Sequence, residues 1–400
     1  MRSFVLGAAG AFGLAYTTQR TVEAVRAARE PSTSAAAAAP HDAHVYGAAR
    51  RRLMLVGIAR SFAQLGFTAY AVAPAIEAAA GDTTRPLRRA ALVAAGVLTA
   101  NLLDLPADYV EDFAFERRFG LSDQPARSWL GDRAKGVALS VAVTVPLLEL
   151  LAAAMARAPR RWPALATAGT IPLLVLANLI VPLYVMPLFN KFEPYAGPLE
   201  ARILALAARY GVAEPTILRV DMSRQTKKAN AYVTGLFGTN RIVLGDTLLD
   251  HFADDEVLFV TAHELGHYVS RDVWRSVALG TLASAAIFGL GARLGRRGSN
   301  EPAHSLGGLA RFFFASSLVS LAAGPALAAA SRERERAADR FALAATKNAG
   351  SGARAFERLR ERNLAEDEQP RWMELLFSSH PSLKSRIATL RAAEAEALSA

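Results

Sequence analysis

Long apolar blocks constrain this chain more than any other feature. They lie at about Leu53–Ile76, Ala90–Leu105, Val137–Met155, Pro163–Leu188, Val273–Leu294 and Leu306–Ala330, with a shorter one at Met1–Tyr16. Inside hydrocarbon a backbone has no water to bond, so a run of this length must close its hydrogen bonds internally as a helix. Hydrophobic residues make up 52% of the 400 and mean hydropathy is +0.19, high values for a soluble enzyme. The blocks predict a polytopic bundle of seven membrane helices. The short N-terminal block reads as an uncleaved first span in preference to a signal peptide.

The net charge of +10 raises nucleic acid as a partner, but the arginines argue against it. They cluster between the blocks, as at Arg50–Arg52, Arg88–Arg89, Arg160–Arg161 and Arg296–Arg297, where cations meet lipid headgroups. The expected partner is the bilayer, with no nucleic acid. Cysteine is absent, which excludes disulfides, thiolate ligands and cysteine nucleophiles. Arg60, Asn101, Asp104, Glu149 and Asn178 fall inside the blocks and should face the bundle interior or a wet cavity.

Residues 17–52 read as a polar loop, and Glu111–Gly136, with Phe113, Phe115 and Phe119 among charges, as a surface-lying segment. Glu200–Tyr210 has the pattern of an amphipathic helix. Beyond it, the apolar run ending at Val220 and the runs on either side of Gly238-Thr239-Asn240 predict strands, the last two forming a hairpin. The expected division is residues 1–52 as first span and loop, 53–188 as an N-terminal membrane domain, and 189–395 as a mixed α+β domain. Two spans, at about 273–294 and 306–330, interrupt the last. Loops 17–52 and 105–136 hold eleven Lys and Arg against nine in the connections 77–89, 156–162 and 293–305, which favours a cytoplasmic position for the 189–395 domain.

Chemistry is concentrated in Thr261–Ser270, T-A-H-E-L-G-H-Y-V-S. Residues i and i+4 share a helical face, so His263 and His267 can grip one metal ion. Glu264 stands beside them as a general base; H-E-x-x-H is the ligand-and-base pattern of zinc peptidases. Asp254, Asp255 and Glu256 place N-caps and negative charge at the helix start. A catalytic zinc site needs a third protein ligand and an open position. In S-R-E-R-E-R-A-A-D-R, at 331–340, Glu335 and Asp339 lie four apart. Glu335 is a candidate third ligand, and Asp339 a candidate partner for the outer nitrogen of a ligand histidine. The competing reading is a solvated charged helix, which suits Glu333, Arg334 and Arg336 better.

Taken together, H-E-L-G-H at 263–267, S-R-x-x-E-x-x-A-D at 331–339, N-A-Y at 230–232 and H-P-S-L-x-x-R at 380–386 resemble the type 1 CAAX prenyl protease family. P-L-F-N-K-F at 187–192 and F-E-R-R-F-G-L at 115–121 are similar to that family's stretches as well. The resemblance runs from about residue 50 to 395. It implies an integral-membrane zinc metallopeptidase of the gluzincin kind, with a zincin-like α+β domain. One zinc ion per chain would be held by His263, His267 and Glu335, with Glu264 as base and Asp339 as helper acid. Asn230, Ala231 and Tyr232 would hold the substrate backbone as a strand edge, and His380 would face the oxyanion.

The activity this implies is peptide-bond hydrolysis on prenylated, membrane-associated or misfolded peptides. The Ala/Arg-rich composition points to a bacterial inner membrane, with the metal site towards the cytoplasm. A heat-shock-type quality-control peptidase is the nearest alternative. A transporter, or a silent scaffold, is the alternative of another class. Neither has a use for a complete ligand set with its base.

Overall fold

The computed structural model describes residues 40–399; the apolar block at Met1–Tyr16 lies outside them. Among the described residues, six helical stretches are long and apolar enough to cross a membrane: Asp42–Ala80, Pro86–Arg118, Ala126–Arg157, Trp162–Leu188, Asp272–Gly295 and Leu306–Thr346. Each contains one of the six longer blocks.

In chain order, α1 is Pro40–Phe67 and continues through a π-turn into α2, Ala73–Ala80. Next, α3, Pro86–Asp108, continues through a second π-turn into α4, Phe115–Arg118. Then come α5, Ala126–Arg157, and α6, Trp162–Ile180, whose wide last turns reach Leu188. Pro106, Pro146 and Pro172 sit inside these helices. Neighbouring helices and local re-bonding make such interruptions tolerable in a membrane.

Two expectations fail at the start of the chain. Residues 40–52 are helical rather than loop. Phe113, Phe115 and Phe119 are buried rather than surface-lying. Tyr46 stacks on Phe115 and meets Phe119 edge-on at 5.3 and 5.2 Å, while Phe113 packs on Tyr109 and Trp129. The aromatic segment thus has a partner about seventy residues upstream.

The polar residues at membrane depth are mostly paired. Arg60 bonds Glu111 at 2.8 Å and lies 3.4 Å from Asp104, which also accepts from Gln64. Glu149 takes a two-pronged bond from Arg89 at 2.9 and 2.6 Å, and Arg89 also donates to the carbonyl of His304. Asn101 and Asn178 bond the carbonyl four residues back in their own helices. Asn178 is exposed rather than interior, because that local bond already satisfies it.

After the fourth of these spans the chain forms a small mixed sheet: β1 (Phe192–Pro194), β2 (Thr216–Val220), β3 (Ala231–Thr234) and β4 (Arg241–Gly245) in the order β1-β2-β4-β3. β2 and β4 are parallel, while β3 is antiparallel to β4 and forms an edge. The amphipathic α7 (Glu200–Arg209), the short α8 (Asp246–Leu249) and the metal helix α9 (Asp254–Val269) follow the same order as the sequence pattern. The spans α10 (Asp272–Gly295) and α11 (Leu306–Thr346) come next, then α12 (Ala349–Arg362), α13 (Arg371–Leu376) and α14 (Leu383–Ser399). The main core joins Ile203, Ile242, Leu244, Phe259, Leu265 and Phe356 across helices and sheet. At 41 residues, α11 is about 60 Å long, twice the hydrocarbon thickness of about 30 Å. Its second half therefore stands out of the bilayer and packs on α9.

Candidate metal centre

The metal helix begins differently from expectation. Ala253, not an aspartate, holds the N-cap position, and Glu256 reaches back to accept from its N–H at 3.0 Å. Leu265, Ala262 and Phe259 are fully buried, which fixes the rotation of α9 and turns His263, Glu264 and His267 to a common side. Gly266 makes the helix crossing possible. A Cβ there would come within 3.2 Å of the Cα of Ala338 and 3.1 Å of the Phe341 ring on α11.

That close crossing brings Glu335 onto the two histidines. The Nε2 atoms of His263 and His267 are 3.3 Å apart. Glu335 Oε2 is 3.3 Å from the first, and its Oε1 is 3.4 Å from the second. Among the described residues these three form the group whose donor atoms converge tightly enough for a metal ion. The distances themselves test the fit. Zinc bonds to imidazole and carboxylate of 2.0–2.2 Å in a tetrahedron put neighbouring donor atoms about 3.3–3.5 Å apart. The nitrogen–nitrogen spacing and the contact of each histidine with one oxygen of the Glu335 carboxylate fall in that range, and the donor set of two neutral nitrogens and a carboxylate suits zinc.

The outer nitrogens are also held. His263 Nδ1 is 2.9 Å from Asp339 Oδ1, and His267 Nδ1 is 2.8 Å from Asp272 Oδ2. Each contact fixes a tautomer that leaves Nε2 free to ligate. Asp339 is itself gripped by Arg386 through Nε and Nη2 at 2.8 and 2.6 Å. The guanidinium of Arg386 lies over the Phe356 ring, 4.0 Å from its centre. Burial lowers the basicity of His263, but its bonds to Asp339 and Glu335 outweigh it, so the net shift is upward, to about 9 in the absence of a metal. Burial pushes the Glu264 carboxyl above its usual range, against the pull of the neighbouring histidines.

A cavity of about 450 Å³ opens on this centre, lined by Glu264, Glu335, His380, Asn230 and Ala231 among others. His380 Nε2 is 3.3 Å from Glu335 Oε1, while its Nδ1 meets Ser379 Oγ at 2.8 Å. Its loop is tied down by the buried Arg332, which donates to the carbonyls of Glu374 and Ser378.

The approach to β3 is clamped from several sides. Lys227 N–H donates to the Leu121 carbonyl at 2.8 Å, the Lys228 ammonium meets Glu116 at 2.8 Å, and Ala229 N–H donates to Asn363 Oδ1 at 3.0 Å. The register decides which backbone groups are free. Ala231 lies opposite Leu244, and Gly245 N–H donates to Asn230 O. Residues 230 and 232 are thus the hydrogen-bonded positions, and Ala231 and Val233 aim their N–H and C=O away from β4. Tyr232 departs from expectation. Its side chain leaves the cavity for the opposite face of the sheet, where it packs with Phe192 and donates to Met186 Sδ at 3.4 Å.

Sequence reasoning missed Asp272, Arg332 and Arg386. Arg332 and Arg386 stand inside motifs the sequence offers. Asp272 follows a left-handed turn at Arg271, φ 54°, and no periodicity announces it.

Comparisons with known proteins give the family and the fold. The family model for Peptidase family M48 matches residues 195–394, and that for the CAAX prenyl protease N-terminal region, five membrane helices, matches residues 24–191. The Bacillus subtilis (strain 168) protein named uncharacterized metalloprotease YhfN is 31% identical over 303 residues, 72% of this chain and 70% of that protein. A CAAX prenyl protease 1 homolog of Oryza sativa subsp. japonica is 30% identical over 324 residues, 78% of this chain and 75% of that one. CAAX prenyl protease 1 of Saccharomyces cerevisiae is 34% identical over 193 residues, 48% of this chain and 43% of its own. In fold, the chain is similar to the crystal structure of S. mikatae Ste24p, with a TM-score of 0.75 at 24% identity, covering 97% and 98% of the two chains. The chain belongs to peptidase family M48, as a membrane metalloprotease of the CAAX prenyl protease kind.

Proposed function

We propose that the protein is a zinc-dependent endopeptidase that cleaves peptides presented at the membrane, lipidated peptides among them, with its metal centre on the cytoplasmic side. The observation that carries the reading is the convergence of His263, His267 and the two oxygens of Glu335 at spacings that suit one zinc ion. Zinc held there supplies Lewis acidity, which polarises a carbonyl and acidifies a water.

The chain's own groups do the rest. An extended substrate adds to the free edge of β3, pairing with the outward backbone groups of Ala231 and Val233, which sets its scissile bond across the cavity. Asn230, at the cavity wall, contacts the substrate backbone. Glu264 takes a proton from the attacking water as its oxygen joins the carbonyl carbon. It returns that proton to the amine nitrogen as the C–N bond breaks. A carboxyl whose affinity for protons is raised by burial suits a group that must both take and give one. His380 donates towards the oxygen on which negative charge develops. Asp339 and Asp272 orient the ligand histidines and do not touch substrate.

The test is hydrolysis of lipidated and unlipidated versions of one peptide by purified protein, with and without chelator, beside Glu264→Gln. Glu264→Gln keeps the side chain's shape and removes its basicity. It should retain zinc and lose turnover by roughly 10²–10⁴-fold. Near wild-type turnover in a zinc-loaded Glu264→Gln protein, or chelator-insensitive cleavage, would refute the mechanism.

A further inference from the structure

The tip joining β3 to β4 carries a residue that neither the core nor the metal cavity uses. Phe237 is 75% exposed, between Gly235 and Gly238, and holds φ 55°. That left-handed conformation suits glycine or asparagine and disfavours a bulky side chain. A fold that needed only the turn would be better served by either of them, so the ring itself is what the position supplies.

Its surroundings indicate what the ring meets. The Phe237 ring stands edge-on to Trp274, 6.2 Å away. Trp274, also exposed, is the third residue of the span α10. Arg271 and Arg275, both exposed, flank it. α6 runs antiparallel to α10, with Trp162 beside Phe288 and Leu174 beside Gly280. The far end of α6 is thereby level with the start of α10. It carries the exposed Tyr184, and Met186 takes the bond from Tyr232 of β3. Exposed aromatic rings and arginines gathered at one level, where two spans end, are the composition of a membrane–water boundary.

We propose that Phe237 is an interfacial anchor: the β3–β4 tip is seated in the headgroup region of the bilayer beside Trp274. The occupant is lipid because the patch is continuous with the lipid-facing surface of α10. The free edge of β3 then runs from the membrane surface at Thr234 to the metal cavity at Ala231.

The absence of cysteine makes the test direct. A single cysteine at Phe237→Cys is labelled with an environment-sensitive fluorophore, and the protein is placed in nanodiscs of phosphatidylcholine and phosphatidylglycerol. Leu398→Cys, on the exposed end of α14, is the reference. At position 237 the emission should be blue-shifted, quenched by nitroxide lipids more strongly from a shallow than from a deep acyl position, and shielded from aqueous iodide. At 398 iodide should quench and the nitroxide lipids should not. Iodide quenching at 237 equal to that at 398 would overturn the proposal. So would shielding from iodide without nitroxide quenching, the outcome if protein covers the tip. Should Phe237→Cys not purify as a monodisperse species, Thr239→Cys on the same exposed tip gives the same reading.

Discussion

Two aspartates hold the ligand histidines from behind, and the structure ranks them. Asp272 accepts from His267, whose side chain is 26% exposed, while Asp339 accepts from His263, at 7%. Losing an outer partner typically lowers metal affinity 10–100-fold, about 1.4–2.7 kcal/mol, the range also measured for a hydrogen bond to a charged group. In Asp272→Ala, water can reach His267 Nδ1 and restore part of the bond, so the loss should sit near tenfold. In Asp339→Ala there is no such access. The substitution also strands Arg386, whose Nη2 lies 3.3 Å from His263 Nδ1 and 3.8 Å from Glu335. A cation left with only the Glu335 carboxylate as its partner competes for a metal ligand and opposes a second positive charge, so the loss should reach about 100-fold or more. Zinc dissociation constants from chelator competition, with Glu333→Gln as the control of unchanged affinity, measure both. Equal losses, or a larger loss in Asp272→Ala, would show that burial of the outer bonds does not set ligand strength.

Three further outcomes follow from the same geometry. Glu335→Gln should remove most bound zinc in elemental analysis, since a neutral amide is a far poorer ligand; full occupancy would take Glu335 out of the set. Ala231→Pro removes an N–H that faces the open edge while leaving the β3–β4 ladder intact, so peptide cleavage should fall with zinc content normal, and unaltered kinetics would place the substrate elsewhere. Gly266→Val should cost about 1–3 kcal/mol from overpacking against Ala338 and Phe341 and weaken zinc binding with it; a wild-type melting temperature and zinc affinity would contradict the tight crossing.

How far the sequence could be read depended on how local each signal was. His263, Glu264 and His267 lie on one helical turn, so spacing alone presents them. Glu335 was reachable through its i, i+4 relation to Asp339, because the two act on the same histidine from one face of α11. Hydrocarbon imposes helices, so the six longer spans were legible as elements, but their helices outrun the apolar blocks, as where Leu306–Ala330 lies inside Leu306–Thr346. What failed was non-local or turn-dependent. Tyr46 covers Phe115 and Phe119 from a stretch read as loop. The left-handed Arg271 swings Asp272 back under His267. Tyr232 spends its backbone groups on β4, opposite Val243, because alternate residues of an edge strand point their hydrogen-bonding groups to opposite sides, so a three-residue motif on β3 cannot offer all its backbone to a substrate.

The site is divided between two bodies with different surroundings. His263 and His267 ride on the packed water-exposed lobe, whereas Glu335 rides on a rod rooted in lipid. From Leu306 to Glu335 the rod is about 43 Å long, so a one-degree tilt about its far end displaces the carboxylate by roughly 0.8 Å. That exceeds the roughly 0.2 Å tolerance of a metal–ligand bond, and the glycine-tight crossing at Gly266 is the clamp that resists it. Acyl-chain length biases how such a rod leans, alongside its packing against neighbouring spans. Bilayer thickness therefore becomes a mechanical input to coordination, one that reconstitution in short- and long-chain lipids would register as a change in zinc affinity.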